Sequence, residues 1–140
     1  MKLAFICRLA LAVIFSAAGI MKLRDIKGFA YDLHLFGLTP WTLSKSLAFF
    51  LPGFEIVAGV ALFIPALRLG GVFAVMAMSA AFSFAISSAW ARGLDISCGC
   101  FGHSQSPSNY PLHLTATLVM LAASCWLISR EVREGTVKFQ

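Results

Sequence analysis

The chain has 140 residues, of which 59% are hydrophobic and only 12% charged, with a formal net charge of +5. That balance, with a mean hydropathy of +0.85, excludes a water-soluble catalytic module. The positive excess is what lysine and arginine beside anionic lipid would give, and it asks for no nucleic-acid partner.

Four apolar stretches, each long enough to cross a bilayer, predict an all-α integral membrane four-helix bundle with short loops, a single domain over 1–140. The first span is expected at 3–21, behind Lys2 and with Arg8 inside its apolar run. Ser16-Ala17-Ala18 before Gly19 has the small residues of a signal-peptide cleavage site, but Arg8 interrupts the core, so a retained span is expected. The following segment, 22–46, mixes Phe29, Tyr31, Leu33, Leu35, Phe36, Leu38 and Trp41 with charges. It is expected to lie on the membrane surface, as a lid or docking face, with helix and strand both open.

The second span, 47–67, carries Pro52 and Glu55, and the third, 69–91, follows a minimal turn at Arg68, so these two form an antiparallel hairpin. An isolated charge in the bilayer costs several kcal/mol unless it snorkels, meets water or is paired, so Arg8 and Glu55 are expected to pair. That pair fixes the packing of the first two spans; its functional alternative is a polar pocket for a quinone head group or a proton relay. Ser79, Ser83 and Ser87 recur every four residues and predict a stripe of small residues for close helix contact.

Between the third and fourth spans lies Cys98-Gly99-Cys100-Phe101-Gly102-His103. Two thiols separated by one flexible glycine can close a small strained disulfide, the labile and exchange-competent kind. A thiolate at Cys98 or Cys100 would attack a partner disulfide and be resolved by its neighbour, with His103 placed to accept the proton or stabilise the thiolate. His113 and His34 are weaker candidates. If the chain is an enzyme, it is a thiol-disulfide oxidoreductase. Two other classes stay open: soft-metal binding of copper or zinc through Cys98, Cys100 and His103, and a non-catalytic assembly subunit whose loop disulfide only stiffens a docking face.

The fourth span, 112–129, begins after a segment whose Pro111 suits a helix start. Trp41, Trp90 and Tyr110 fall near one membrane surface and Trp126 near the other, as interfacial anchors do. Cys7 and Cys125 fall at the terminal side, opposite the cysteine loop, and read as apolar fillers rather than a transmembrane relay, since direct exchange would have to cross a core about 30 Å thick. Loop charges divide evenly and do not set the orientation; dithiol chemistry in an oxidising compartment favours cytoplasmic termini, an external cysteine loop and a bacterial inner membrane.

Arg8, Phe15, Ala18-Gly19 and Lys22, then Leu51-Pro52, Glu55 and Gly59, then Cys98-Gly99-Cys100-Phe101-Gly102 together resemble the methylamine-utilisation protein MauE family, within the DoxX-like group of four-helix membrane proteins. The cysteine element is the specific part; the family pattern often has an acid directly before the first cysteine, where this chain has Ser97 and, two residues earlier, Asp95. The resemblance implies a membrane partner of an extracytoplasmic thioredoxin-like protein, active in disulfide formation or electron delivery during maturation of a cysteine-rich client enzyme.

Overall fold

The computed structural model of the chain describes residues 2–94 and 109–138, with side chains described as far as 133. Five helices run in order: α1 (Lys2–Arg24), α2 (Ile26–Leu35), α3 (Trp41–Ala61), α4 (Arg68–Ala91) and α5 (Tyr110–Lys138). Four of them, α1, α3, α4 and α5, are long and apolar enough to cross a membrane, so the chain forms the all-α membrane bundle read from its sequence. Cys98, Cys100 and His103 lie outside the described residues.

The boundaries move where local chemistry overrides hydropathy. α3 starts at Trp41 rather than 47, because its polar first turns bond to themselves: Ser44 Oγ donates to the Pro40 carbonyl at 3.3 Å and Ser46 Oγ to the Thr42 carbonyl at 3.2 Å. It ends at Ala61 rather than 67, since Pro65 has no N–H to give and disfavours helical backbone at Ile64. The turn to α4 is therefore longer than the minimal one expected at Arg68, while α4 itself lies almost where its apolar run does.

The segment expected on the membrane surface contains a helix. Asp25 caps α2 by accepting from the Gly28 N–H at 2.9 Å, and Gly37, at φ +64°, follows its C-terminal end. Ile26, Phe29, Ala30, Leu33 and Phe36 turn inward onto α3 and α4, while Lys27, Tyr31 and His34 face out. The edge of the His34 ring meets Trp41, 5.3 Å between centroids.

α1 packs along α3, α4 along α5, and α3 joins the two pairs through α4. The first pair is built on missing side chains. A Cβ on Gly19 would lie 2.7 Å from the Pro52 carbonyl oxygen, and one on Gly59 would lie 2.7 Å from Ser16 Oγ and 3.0 Å from the Ala12 carbonyl, so only glycine lets these backbones approach. The second pair is joined by a hydrogen bond, Ser83 Oγ to Thr117 Oγ1 at 2.9 Å, over a core that includes Val72, Val75 and Leu127. Of the expected serine stripe, Ser79 and Ser83 are buried but Ser87 is exposed. Four-residue steps gain about 40° each on a 3.6-residue helix, and by the third serine the stripe has left the interface.

Candidate functional site

Lys22 sits near the end of α1, where a lysine would ordinarily reach for water. Its position continues the buried series Leu11, Phe15, Ala18, so the helix turns its side chain into the bundle. There Lys22 Nζ donates to Glu55 Oε1 of α3, and both side chains are only 1% exposed. The ammonium also lies 4.5 Å from the centroid of the Phe82 ring of α4 and 5.1 Å from that of Phe29 of α2. One cation thus collects a carboxylate and two aromatic faces from three other helices, which offsets part of the cost of taking it out of water. Glu55 Oε2 and, on α4, Ser79 Oγ are buried without a hydrogen-bond partner.

The same two rings, Phe29 and Phe82, line a cavity of about 230 Å³ between α2, α3 and α4. Leu51, Phe36 and Ala85 complete much of its apolar wall, and Thr39 adds a hydroxyl that also meets Ser44 Oγ at 2.8 Å.

The cysteine segment departs from and returns to this end of the bundle. α4 closes in a Schellman motif: the Gly93 N–H donates to the Trp90 carbonyl at 3.0 Å and the Leu94 N–H to the Ala89 carbonyl at 3.1 Å, with Gly93 at φ +64°. Tyr110, the first residue of α5, donates its hydroxyl to the Leu94 carbonyl, and both side chains pack against Phe36 and Ala89. Arg92 donates to the Phe36 carbonyl, pinning the end of α2 beside them. The residues bracketing the dithiol are therefore held in one cluster with the rim of the cavity.

The ion pair expected between Arg8 and Glu55 is replaced by two others. Arg8 is paired with Glu131 of α5, and Glu55 with Lys22. The reason is depth: Lys22 follows Arg8 by some 21 Å along α1, at a rise of about 1.5 Å per residue, and it is Lys22 that stands level with Glu55. A polar pocket formed jointly by Arg8 and Glu55 does not exist. Cys7 and Cys125 are both free thiols: Cys7 is half-buried against the α1–α4 core, and Cys125 is exposed on α5 with its Sγ 3.8 Å from Met76 Sδ. Cys125 is thus no core filler. Among the described residues, no three of the His, Cys, Asp and Glu side chains come together to hold a metal ion.

Sequence reasoning placed Lys22 in the family pattern without its burial or its partner, and missed Glu131 and Asp32, the last 1% exposed on α2. For Lys22 a signal was present, its place four residues beyond Ala18 and seven beyond Phe15 on the buried face; for Glu131, a position just past an apolar run gave none.

The family described as "Methylamine utilisation protein MauE" matches residues 1–130. A protein of that name from Methylophilus methylotrophus is 31% identical over 126 residues, covering 89% of this chain and 66% of the relative. Its namesake from Paracoccus denitrificans is 33% identical over 95 residues, covering 67% of this chain and 51% of the relative. The chain thus spans between half and two thirds of the length of these relatives. No solved structure matches. The chain belongs to the MauE family.

Proposed function

We propose that this MauE-family chain is a single-domain membrane thiol-disulfide redox protein, in which Cys98 and Cys100 exchange disulfides with an extracytoplasmic thioredoxin-like partner during maturation of a client enzyme. The observation that carries the reading is the Cys98-Gly99-Cys100 pair in a segment whose flanking residues, Leu94 and Tyr110, are tied to each other. Two thiols one residue apart, delivered by a fixed base to a membrane surface, suit repeated exchange with a soluble protein.

In the exchange, one thiolate attacks a disulfide sulfur of the partner, whose other sulfur leaves as a thiolate. The second cysteine then attacks its neighbour in the mixed disulfide. The Cys98–Cys100 disulfide forms and the partner departs as a dithiol, having gained two electrons and two protons; run backwards, the same steps oxidise the partner. His103 serves as the proton acceptor or as a positive charge that stabilises the attacking thiolate. The proposed orientation places both termini in the cytoplasm and the cysteine segment outside, in an oxidising compartment.

The test is thiol trapping in native membranes: acid quench, alkylation with a mass tag, and titration of the pair against defined redox buffers. A two-electron transition between roughly −120 and −270 mV, the span of thioredoxin-like proteins, together with a mixed disulfide trapped by Cys98→Ser or Cys100→Ser, is the expected result. A pair that stays oxidised under strong reduction means a structural disulfide. A pair shielded until chelator is added means a soft-metal site instead.

A further inference from the structure

The structure carries a second chemical site beside Leu94 and Tyr110, which flank the cysteine segment: we infer that the cavity between α2, α3 and α4 binds the ring of a lipid-soluble quinone, the two-electron carrier that exchanges with the Cys98/Cys100 dithiol. The electron source in this statement rests on the thiol-disulfide reading; the occupancy of the cavity does not.

Three observations lead to that occupant. The first is size: about 230 Å³ falls just below the ~300–1,000 Å³ of pockets for drug-sized ligands, which suits one substituted six-membered ring with its tail left outside. The second is the lining. Phe29, Phe36 and Phe82 offer ring faces and edges to a flat ligand, Thr39 offers a hydroxyl to a ring carbonyl, and the walls are otherwise aliphatic. Phe29 and Phe82 are also the rings against which the Lys22 ammonium rests. Lys22 and Glu55 thereby hold two cavity walls from behind, as positioning residues. The third is place. Phe36 and Ala85 belong both to the cavity wall and to the cluster that holds Leu94 and Tyr110, the two ends of the dithiol segment.

The chemistry balances. Oxidation of the two thiols breaks two S–H bonds, forms one S–S bond and releases two electrons and two protons; the quinone takes up all four, its two C=O groups becoming C–O–H. Run in reverse, quinol reduces the disulfide.

The experiment uses the full chain in lipid nanodiscs and a short-tailed azido-benzoquinone, photolysed and mapped by peptide mass spectrometry. Label is expected within 29–39 or 81–86, competed away by unlabelled short-tailed benzoquinone. Ala85→Phe, which fills the cavity, should weaken that competition about tenfold or more, equivalent to ~1.4 kcal/mol; Leu33→Trp provides the same test from α2 should the first variant fold poorly. The double variant Cys98→Ser/Cys100→Ser should keep the label and lose quinone reduction. Label spread over the lipid-facing helices, or unmoved by both cavity variants and by competitor, overturns the assignment and identifies simple partition into lipid. If thiol trapping fails while the competed label persists, the cavity assignment stands and the exchange reading falls; if trapping succeeds and the label does not localise, the reverse holds.

Discussion

Among the described residues, two ion pairs join helices of the bundle at different depths, and they are built on different terms. Lys22–Glu55 is sealed, both side chains 1% exposed, with aromatic rings where water would be; Arg8–Glu131 keeps 15% and 16% of its side-chain surface open. A sealed pair is expensive to desolvate and therefore weak evidence of net stability, but each partner depends on the other, and more so than in a pair that is not fully sealed. The difference separates a rigid end, where α1, α2, α3 and α4 converge and the cysteine segment is anchored, from an adaptable end where α1 meets α5.

The sharpest way to break this contrast is to remove one charge from each pair. Glu55→Leu leaves Lys22 buried and alone and should cost about 3–5 kcal/mol in reversible unfolding in mixed micelles. The double replacement Lys22→Met/Glu55→Leu should recover most of that loss; an equal or larger loss would mean the pair stabilises the bundle outright. Next in size is packing beside the sealed pair. Gly19→Val forces α1 off the Pro52 carbonyl and should cost about 1–3 kcal/mol by the same measurement, while Gly53→Val, with nothing within 4 Å of the new atoms' root, should be close to silent. At the less sealed pair, Arg8→Gln should cost less than Glu55→Leu, about 1–2 kcal/mol, by the same measurement. If it matches Glu55→Leu, the contrast between the ends is wrong. Smallest is Ser83→Ala, which removes the α4–α5 hydrogen bond and should cost about 0.6 kcal/mol, the average for such bonds between membrane helices.

The sequence showed most of the fold, because the spans are long apolar runs and a bilayer leaves a backbone few choices. α4 was legible almost to the residue. α3 was not, since hydropathy penalises Ser44, Lys45 and Ser46, whose hydroxyl bonds and lysine stem a helix end accommodates readily. α2 hid in a segment too short and too mixed to declare its period, though Asp25 three residues before Gly28 is a cap that can be read. At the candidate site, the chemistry of Cys98 and Cys100 is legible from residue type and spacing, whereas the charge pairing is not. Pairing depends on depth and on helix rotation, and a lysine two residues from a helix end looks like an interface residue until its neighbours Phe15 and Ala18 are counted with it.

The sealed pair also has a consequence in time. Lys22 and Glu55 are separated by 33 positions, so a ribosome adding about 5–20 residues per second makes the lysine some 2–7 s before its partner. During that interval, before α3 is packed beside it, Lys22, close to the end of α1, can stretch its stem toward water beyond the helix end. Glu55 lies mid-helix and has no such refuge. The order of synthesis thus supplies first the charge that can wait and second the one that cannot, and a chain in which the two positions were exchanged would present an unpartnered lysine in the middle of α3 and a carboxylate at the end of α1, the same pair in the finished bundle reached by a harder route.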